Sequence, residues 1–199
     1  MNHYFTNNNL SKHDEIKYIN YRFKNNDFKF ATHSGVFSKD HVDYATDILL
    51  NGIPELPQNS SLLDMGCGYG VIGIVLAKTY GLKLTQSDVN RAALDLTRKN
   101  CKLNNVESDI IESDCFDKIV CKSDVIVINP PIHAGKSVTY KMYEDSLSRL
   151  NDNGRLYVVT LKKHGGESTL DKLKSVYDNS VNVIYKKKGI FVFEATLRS

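Results

Sequence analysis

At 199 residues, with 41% hydrophobic and 25% charged side chains, the chain fits one globular domain spanning 1–199 and leaves little room for a second. No apolar run approaches the roughly 20 residues that cross a bilayer, and Met1 to Asn7 lacks a basic stretch followed by an apolar one, so a cytoplasmic protein without a membrane partner is expected. A net charge of +3 favours a polyanionic partner only slightly; Cys67, Cys101, Cys115 and Cys121 contain no Cys-x-x-Cys pair, so no metal site and no disulfide framework is expected, only small half-buried thiols.

Residues 1–40 read as an N-terminal extension. Within it Tyr21–Lys24 and Phe28–Phe30 alternate aromatic with basic residues around the turn Asn25-Asn26-Asp27, which predicts a small hairpin with one apolar face, a flap over the core. Residues 41–199 read as the catalytic core. Ser38 is placed to cap a helix through Val42, Ala45, Ile48 and Leu49 that Pro54 and Pro57 end.

From about residue 62, short β-branched runs alternate with helical patterns, the signature of a parallel sheet covered on both faces. Strands are predicted at Ser61–Leu63, Leu82–Gln86, Asp109–Ile111, Asp124–Ile128 and Arg155–Thr160, the fourth central because its apolar run is continuous. Helices are predicted at Val71–Tyr80, Arg91–Leu103 with Ala93, Leu94, Leu96 and Thr97 inward, Val138–Leu150, and Ser168–Tyr177. Val181–Tyr185 and Ile190–Ala195, joined by Lys186-Lys187-Lys188-Gly189, then add an antiparallel hairpin, making seven strands. Its lysines suit either a nucleic-acid patch or, more simply, a solvated turn guarding a sheet edge.

Two loops carry chemistry. Asp64-Met65-Gly66-Cys67-Gly68-Tyr69-Gly70 leads into a helix, where missing Cβ atoms admit a ligand and unpaired N–H groups suit a carboxylate or phosphate. Gly68-x-Gly70-x-x-Gly73 with Asp88 also satisfies a dinucleotide pattern, which keeps a nicotinamide-dependent oxidoreductase as a rival. Against that rival, Asp64 repels a pyrophosphate but attracts the ammonium of a methionine moiety, and no second substrate domain fits. Ser87-Asp88-Val89-Asn90 and Ser113-Asp114-Cys115 put further acids at successive strand ends, where ligands bind in open α/β sheets, although either acid also suits a helix cap.

The fourth strand runs into Asn129-Pro130-Pro131-Ile132-His133-Ala134-Gly135-Lys136. Pro131 restricts Pro130 and fixes the loop carbonyls as acceptors. An exocyclic base amine needs such acceptors, because its lone pair is delocalised into the ring and must be turned toward an electrophile.

These motifs, in this order, resemble those of class I methyltransferases that act on amino groups and use S-adenosylmethionine (SAM). Gly35-Val36-Phe37-Ser38-Lys39-Asp40-His41-Val42-Asp43 together with Asn129 to Lys136 is similar to the guanine-N2 methyltransferases of small-subunit ribosomal RNA. The resemblance implies a Rossmann-like α/β fold with SAM held by Asp64, Gly66, Gly68 and Gly70 at its methionine part, Asp88 and Val89 at the ribose, and Asp114 with Cys115 at the adenine. It assigns Asn129 and Pro130 to the target amine, Asn129 also bordering the cofactor, and Phe37, Pro131, Ile132, His133 and Lys136 to the substrate base and RNA. Many relatives have an aromatic residue at position 132, where Ile132 offers apolar contact without a π face; Phe37 or His133 is then either the stacking surface or an ordinary packed or solvent-facing side chain. The expected partner is ribosomal RNA or an assembling small subunit, met by a monomer or homodimer, with Lys136, Lys162 and Lys163 either meeting phosphates or solvating their loops. Adenine N6, a glutamine amide, and a catalytically silent RNA-binding module remain alternatives at this point.

Overall fold

Side chains alternate with period two between two apolar clusters along the central strands of a computed structural model, which describes residues 16–33, 40–130 and 135–197. Leu62 of β3 (Ser61–Met65), Val125 and Val127 of β6 (Ser123–Ile128), and Tyr157 and Val159 of β7 (Leu150–Leu161) join one apolar cluster. Their neighbours Leu63, Ile126, Ile128, Leu156 and Val158 join a second cluster. A strand apolar at every position must be covered on both faces. The first face receives α1 (Tyr44–Gly52), α2 (Val71–Tyr80) and α3 (Arg91–Asn104); the second receives α4 (Lys136–Arg149) and α5 (Gly166–Val176).

Seven strands form one sheet in the order β5-β4-β3-β6-β7-β9-β8, with β4 (Lys83–Asp88), β5 (Ser108–Glu112), β8 (Val181–Lys187) and β9 (Ile190–Thr196) completing it. The first five in chain order are parallel; β9 runs antiparallel to β7 and β8. Strand order reverses between β3 and β6, so a crevice opens outside their carboxyl ends.

The N-terminal hairpin, β1 (Lys17–Phe23) and β2 (Asn26–Thr32), is a separate two-stranded sheet, and its turn is shorter than expected. Phe23 pairs with Asn26, leaving only Lys24 and Asn25 in the turn, with Lys24 at φ 50°. Nor is it a loose flap. Phe30 is fully buried in the first cluster, and β2 is tied to α3 by asparagine side chains. The Asn100 amide accepts from Ala31 N at 2.6 Å and donates to Ala31 O at 3.0 Å; Asn104 does the same for Lys29 at 3.1 and 2.9 Å. Side-chain amides thus satisfy a sheet edge that would otherwise be unpaired.

Other boundaries differ in ways with local causes. Asp43, not Ser38, caps α1: its carboxylate accepts from Thr46 N at 3.1 Å, and Val42 lies before the helix. Ser38 lies outside the described residues. The helix ends at Gly52 because Ile53, before Pro54, is extended. Strand β7 starts at Leu150 rather than Arg155, since Leu150 pairs with Ser123 ahead of a register shift. Cys67 and Cys101 are buried, Cys115 is half-buried and Cys121 is exposed, so only Cys115 matches the expected half-burial.

Candidate active site

Met65 and Ile128 are parallel partners in the register of β3 and β6. The next residues, Gly66 and Asn129, therefore leave the sheet side by side at the point where strand order reverses. Two loops more than 60 residues apart in sequence thus start side by side at one end of the sheet.

The glycine loop is held from behind by buried polar groups. Gly66 N and Cys67 N donate to Ser87 O at 2.8 and 2.9 Å, and Gly68 N donates to Asp88 Oδ2 at 2.8 Å. Asp64 is 1% exposed, and its Oδ2 accepts from Gly73 N at 2.8 Å and Gln86 Nε2 at 3.3 Å. Helix α2 has no side-chain cap of its own and no acid in its first turn, so Asp64 supplies from the strand the acceptor that the helix start lacks. Gln86 also donates to Gly70 O at 3.3 Å, and Thr97 Oγ1 donates to Gly68 O at 2.8 Å. Asn100 reaches Tyr69 O at 2.8 Å, so one amide joins the loop to β2.

The four glycines divide by what surrounds them. A Cβ on Gly73 would lie 2.8 Å from Leu84 Cδ1 and 2.9 Å from Asp64 Oδ2, and one on Gly70 would lie 3.0 Å from Thr97 Cγ2. These two let α2 approach the sheet. Among the described residues a Cβ on Gly66 would meet nothing nearer than Met142 Cε at 4.0 Å, and one on Gly68 nothing within 4 Å, while both residues have positive φ, 72° and 57°. These two face open space. Asp64 Oδ1 and Ser87 Oγ are buried beneath the loop and have no partner among the described residues. Open space over two left-handed glycines, bordered by acids with acceptor capacity to spare, fits the methionine end and ribose of SAM.

Burial pushes the Asp64 carboxyl up to about 7, against the opposing hydrogen bonds from Gly73 and Gln86. Asp88 is raised in the same direction by burial, offset by N–H groups of Asn90, Gly68 and Val89. Its Oδ1 accepts from Asn90 N at 2.8 Å, so both oxygens already help shape the crevice. Val89 is half-buried beside it. Ser113 N bonds Asp88 O at 3.1 Å, which brings exposed Asp114 and half-buried Cys115, at φ 46°, to the adjoining rim. Burial raises the Cys67 thiol well above its ordinary value and Cys101 and Cys115 to about 11, so these three offer no thiolate at neutral pH. Among the described residues no cluster of His, Cys, Asp and Glu is arranged to hold a metal.

Asn129 and Pro130 are half-buried at the rim. Asn129 Nδ2 donates to Thr46 Oγ1 on α1 at 3.0 Å. Thr46 Oγ1 in turn lies 3.5 Å from Asp43 Oδ2, which can only accept. The threonine proton therefore goes to Asp43, and its lone pair receives the asparagine amide. That order turns Asn129 Oδ1 away from Thr46. Lys136 is exposed at the start of α4. Phe37, Pro131, Ile132 and His133 lie outside the described residues. Sequence reasoning missed Thr46, Asp43, Gln86, Thr97 and Asn100; Asp43, three residues before Thr46, carried a capping signal that Ser38 was given instead.

A family model described as Methyltransferase small domain matches residues 27–194. YbxB of Bacillus subtilis, an uncharacterized protein, is 37% identical over 179 residues, covering 88% of this chain and 89% of that one. Ribosomal RNA small subunit methyltransferase C of Aeromonas hydrophila is 41% identical over 120 residues, 60% of this chain but 34% of that protein. The T. thermophilus 16S rRNA N2 methyltransferase RsmC, solved with AdoMet and guanosine, superposes with a TM-score of 0.83 at 23% identity, covering 92% of this chain and 51% of that one. The chain thus spans about a third and about half of these two methyltransferases.

Fold and site together define a class I methyltransferase whose cofactor is SAM, with a seven-stranded mixed sheet and an N-terminal hairpin. The nicotinamide reading of Gly68 to Gly73 falls with that. The chain belongs to the methyltransferase small domain family. Among the described residues no helix is long and apolar enough to cross a membrane.

Proposed function

We propose that this protein transfers a methyl group to an exocyclic amine of an RNA base, guanine N2 of small-subunit ribosomal RNA. The observation that carries the reading is the juxtaposition of Gly66 and Asn129 at the ends of two register-paired strands. The names of the Aeromonas and T. thermophilus relatives support the substrate.

In this reading Asp64, Gly66, Gly68 and Gly70 hold the methionine part, Asp88 and Val89 the ribose, and Asp114 with Cys115 the adenine. When bound, SAM supplies a methyl on a positively charged sulfur, made electrophilic because the sulfur departs as a neutral thioether. Asn129 Oδ1 and the Pro130 carbonyl accept the two N–H bonds of the target amine. With both hydrogens held, the nitrogen lone pair is turned out of conjugation and toward the methyl carbon. The N–C bond would form as the C–S bond of bound SAM breaks, and the surplus proton of the resulting cationic amine would pass to solvent water, so no strong base is needed. Thr46 and Asp43 act on Asn129 rather than on the substrate: they set which end of its amide faces the crevice. Phe37, Pro131, Ile132, His133 and Lys136 complete the substrate side, an aromatic contact with the base from Phe37 or His133 being worth ~1–3 kcal/mol.

Labelled SAM and deproteinised small-subunit ribosomal RNA from cells lacking the gene test the reading. N2-methylguanosine in the nucleoside digest is expected. Label in adenine, or in protein alone, overturns it.

A further inference from the structure

We infer that a basic groove between β7, the first turn of α5 and the β8–β9 turn receives phosphates of the RNA backbone on one side of the methylation crevice; this deepens the RNA reading above and rests on it. The groove encloses about 900 Å³, and Lys162, Lys163 and Lys188 line it beside Gly165, Glu167 and Ser168. Its place follows from topology. β7 is the parallel neighbour of β6, with Ile128 opposite Val158, and it continues three residues further to Leu161. Leu161 pairs with Ile190, and Lys162 N donates to Gly189 O at 2.7 Å, which folds the Lys188–Gly189 turn onto the same end of the sheet as Asn129.

Two further contacts close the distance to the crevice. The Lys136 side chain, first in α4 after the Asn129 loop, comes within 3.9 Å of where a Cβ of Gly165 would stand. Lys188 Nζ lies 5.7 Å from the ring centre of Tyr44, two residues before the Thr46 that bonds Asn129. Four lysines from three separated segments thus gather on one rim. All four are exposed, and among the described residues no carboxylate forms an ion pair with any of them. Glu167 is the one acid in the lining, so the groove keeps a net positive charge. The first turn of α5, without a side-chain cap, adds partial positive charge to the same wall.

Concentrated like charge costs self-repulsion unless a polyanion relieves it. A flexible nucleic-acid strand meets that need better than a single small anion, because the lysines are spread along a groove rather than converged on a point. Each phosphate neutralised releases condensed counterions, which makes binding fall steeply with salt.

The test measures affinity for fluorescently labelled, deproteinised small-subunit ribosomal RNA across a salt series, separately from methyl transfer. Lys162→Glu with Lys188→Glu is expected to weaken binding at least about tenfold at low salt and to make the log–log salt slope shallower by about 1–2. S-adenosylhomocysteine affinity and the turnover at saturating RNA should hold. The control is Lys83→Glu with Lys122→Glu, the same charge change at the opposite end of the strands, with a smaller loss expected. Lys162→Gln with Lys188→Gln, the milder pair, should move binding in the same direction. Equal losses in groove and control pairs, or an unchanged salt slope, overturn the groove while leaving methylation intact. Groove-dependent binding without any methylguanosine would instead sink the catalytic reading and spare the groove.

Discussion

The cofactor side and the substrate side of the crevice are built on opposite terms. Beneath the glycine loop, Asp64, Gln86, Thr97 and Asn100 are at most 1% exposed and bonded to one another or to loop backbone. Around Asn129, by contrast, Asn129 and Pro130 are half-buried and Gly135 and Lys136 exposed, and the Asn129 amide is held by a bond to Thr46. A small ligand of constant shape rewards a rigid cradle, whereas a polymer arriving from solvent needs a rim it can reach. The lesson is that buried polar networks mark where shape must not change, and an exposed rim marks where the partner arrives from solvent.

That contrast is broken most sharply at Asn129. Asn129→Ala should lower kcat by about 100-fold or more, the loss expected when a reacting nitrogen is no longer held, while calorimetry finds S-adenosylhomocysteine binding nearly unchanged. A rate within twofold of wild type would remove Asn129 from the chemistry.

Gly73→Ala probes the other side. Its methyl has no room beside Leu84 and Asp64, so urea unfolding should show a loss of about 1–3 kcal/mol. Gly68→Ala has room in the apo fold, pays only for its left-handed backbone, about 1–2 kcal/mol, and should lose cofactor affinity out of proportion to stability. If both variants lose only stability, the open space over Gly68 is not where the cofactor sits.

Thr46→Val keeps the shape of the side chain but leaves the Asn129 amide free to rotate. About a tenfold fall in kcat, with cofactor affinity and RNA KM kept and with recovery in Thr46→Ser, is the expected pattern. A purely structural role would lower stability without that split.

The smallest effect is on pH. Because burial raises the Asp64 carboxyl to about 7, the folded apoprotein holds a proton between pH ~4 and ~7 that the unfolded chain has lost, so stability falls as pH rises through that window. Asp88 shifts the same way and adds to the slope. Denaturant titrations of Asp64→Asn should show a decline from pH 5 to 8 smaller than that of wild type by something on the order of 1 kcal/mol. An identical decline would mean that Asp64 is ionised in the apo fold.

The elements were legible because their signals are local. Continuous apolar runs flagged β6 as central, glycines at 66, 68 and 70 flagged a turn against a helix start, and the lysine-bearing hairpin followed from two β-branched runs. Buried asparagines and glutamine were not legible. Asn100 reads as one polar residue on an amphipathic helix, and only β2 lying against α3 shows that its amide completes a sheet edge. Thr46 reads as an ordinary first-turn residue, and Ser38 reads as the cap where Asp43 is, since capping preference names residue types and not the one whose backbone reaches the helix.

What the chain order settled on its own was the class of fold and the chemistry of its two loops, since hydrophobic period and glycine placement act within a few residues of one another. What tertiary structure alone decided was pairing across distance. Register between β3 and β6 set Gly66 beside Asn129, α1 delivered Thr46 to the Asn129 amide, and four lysines from three segments met on one rim. Such meetings depend on where whole elements dock, a quantity summed over the entire core and carried by no single stretch of sequence.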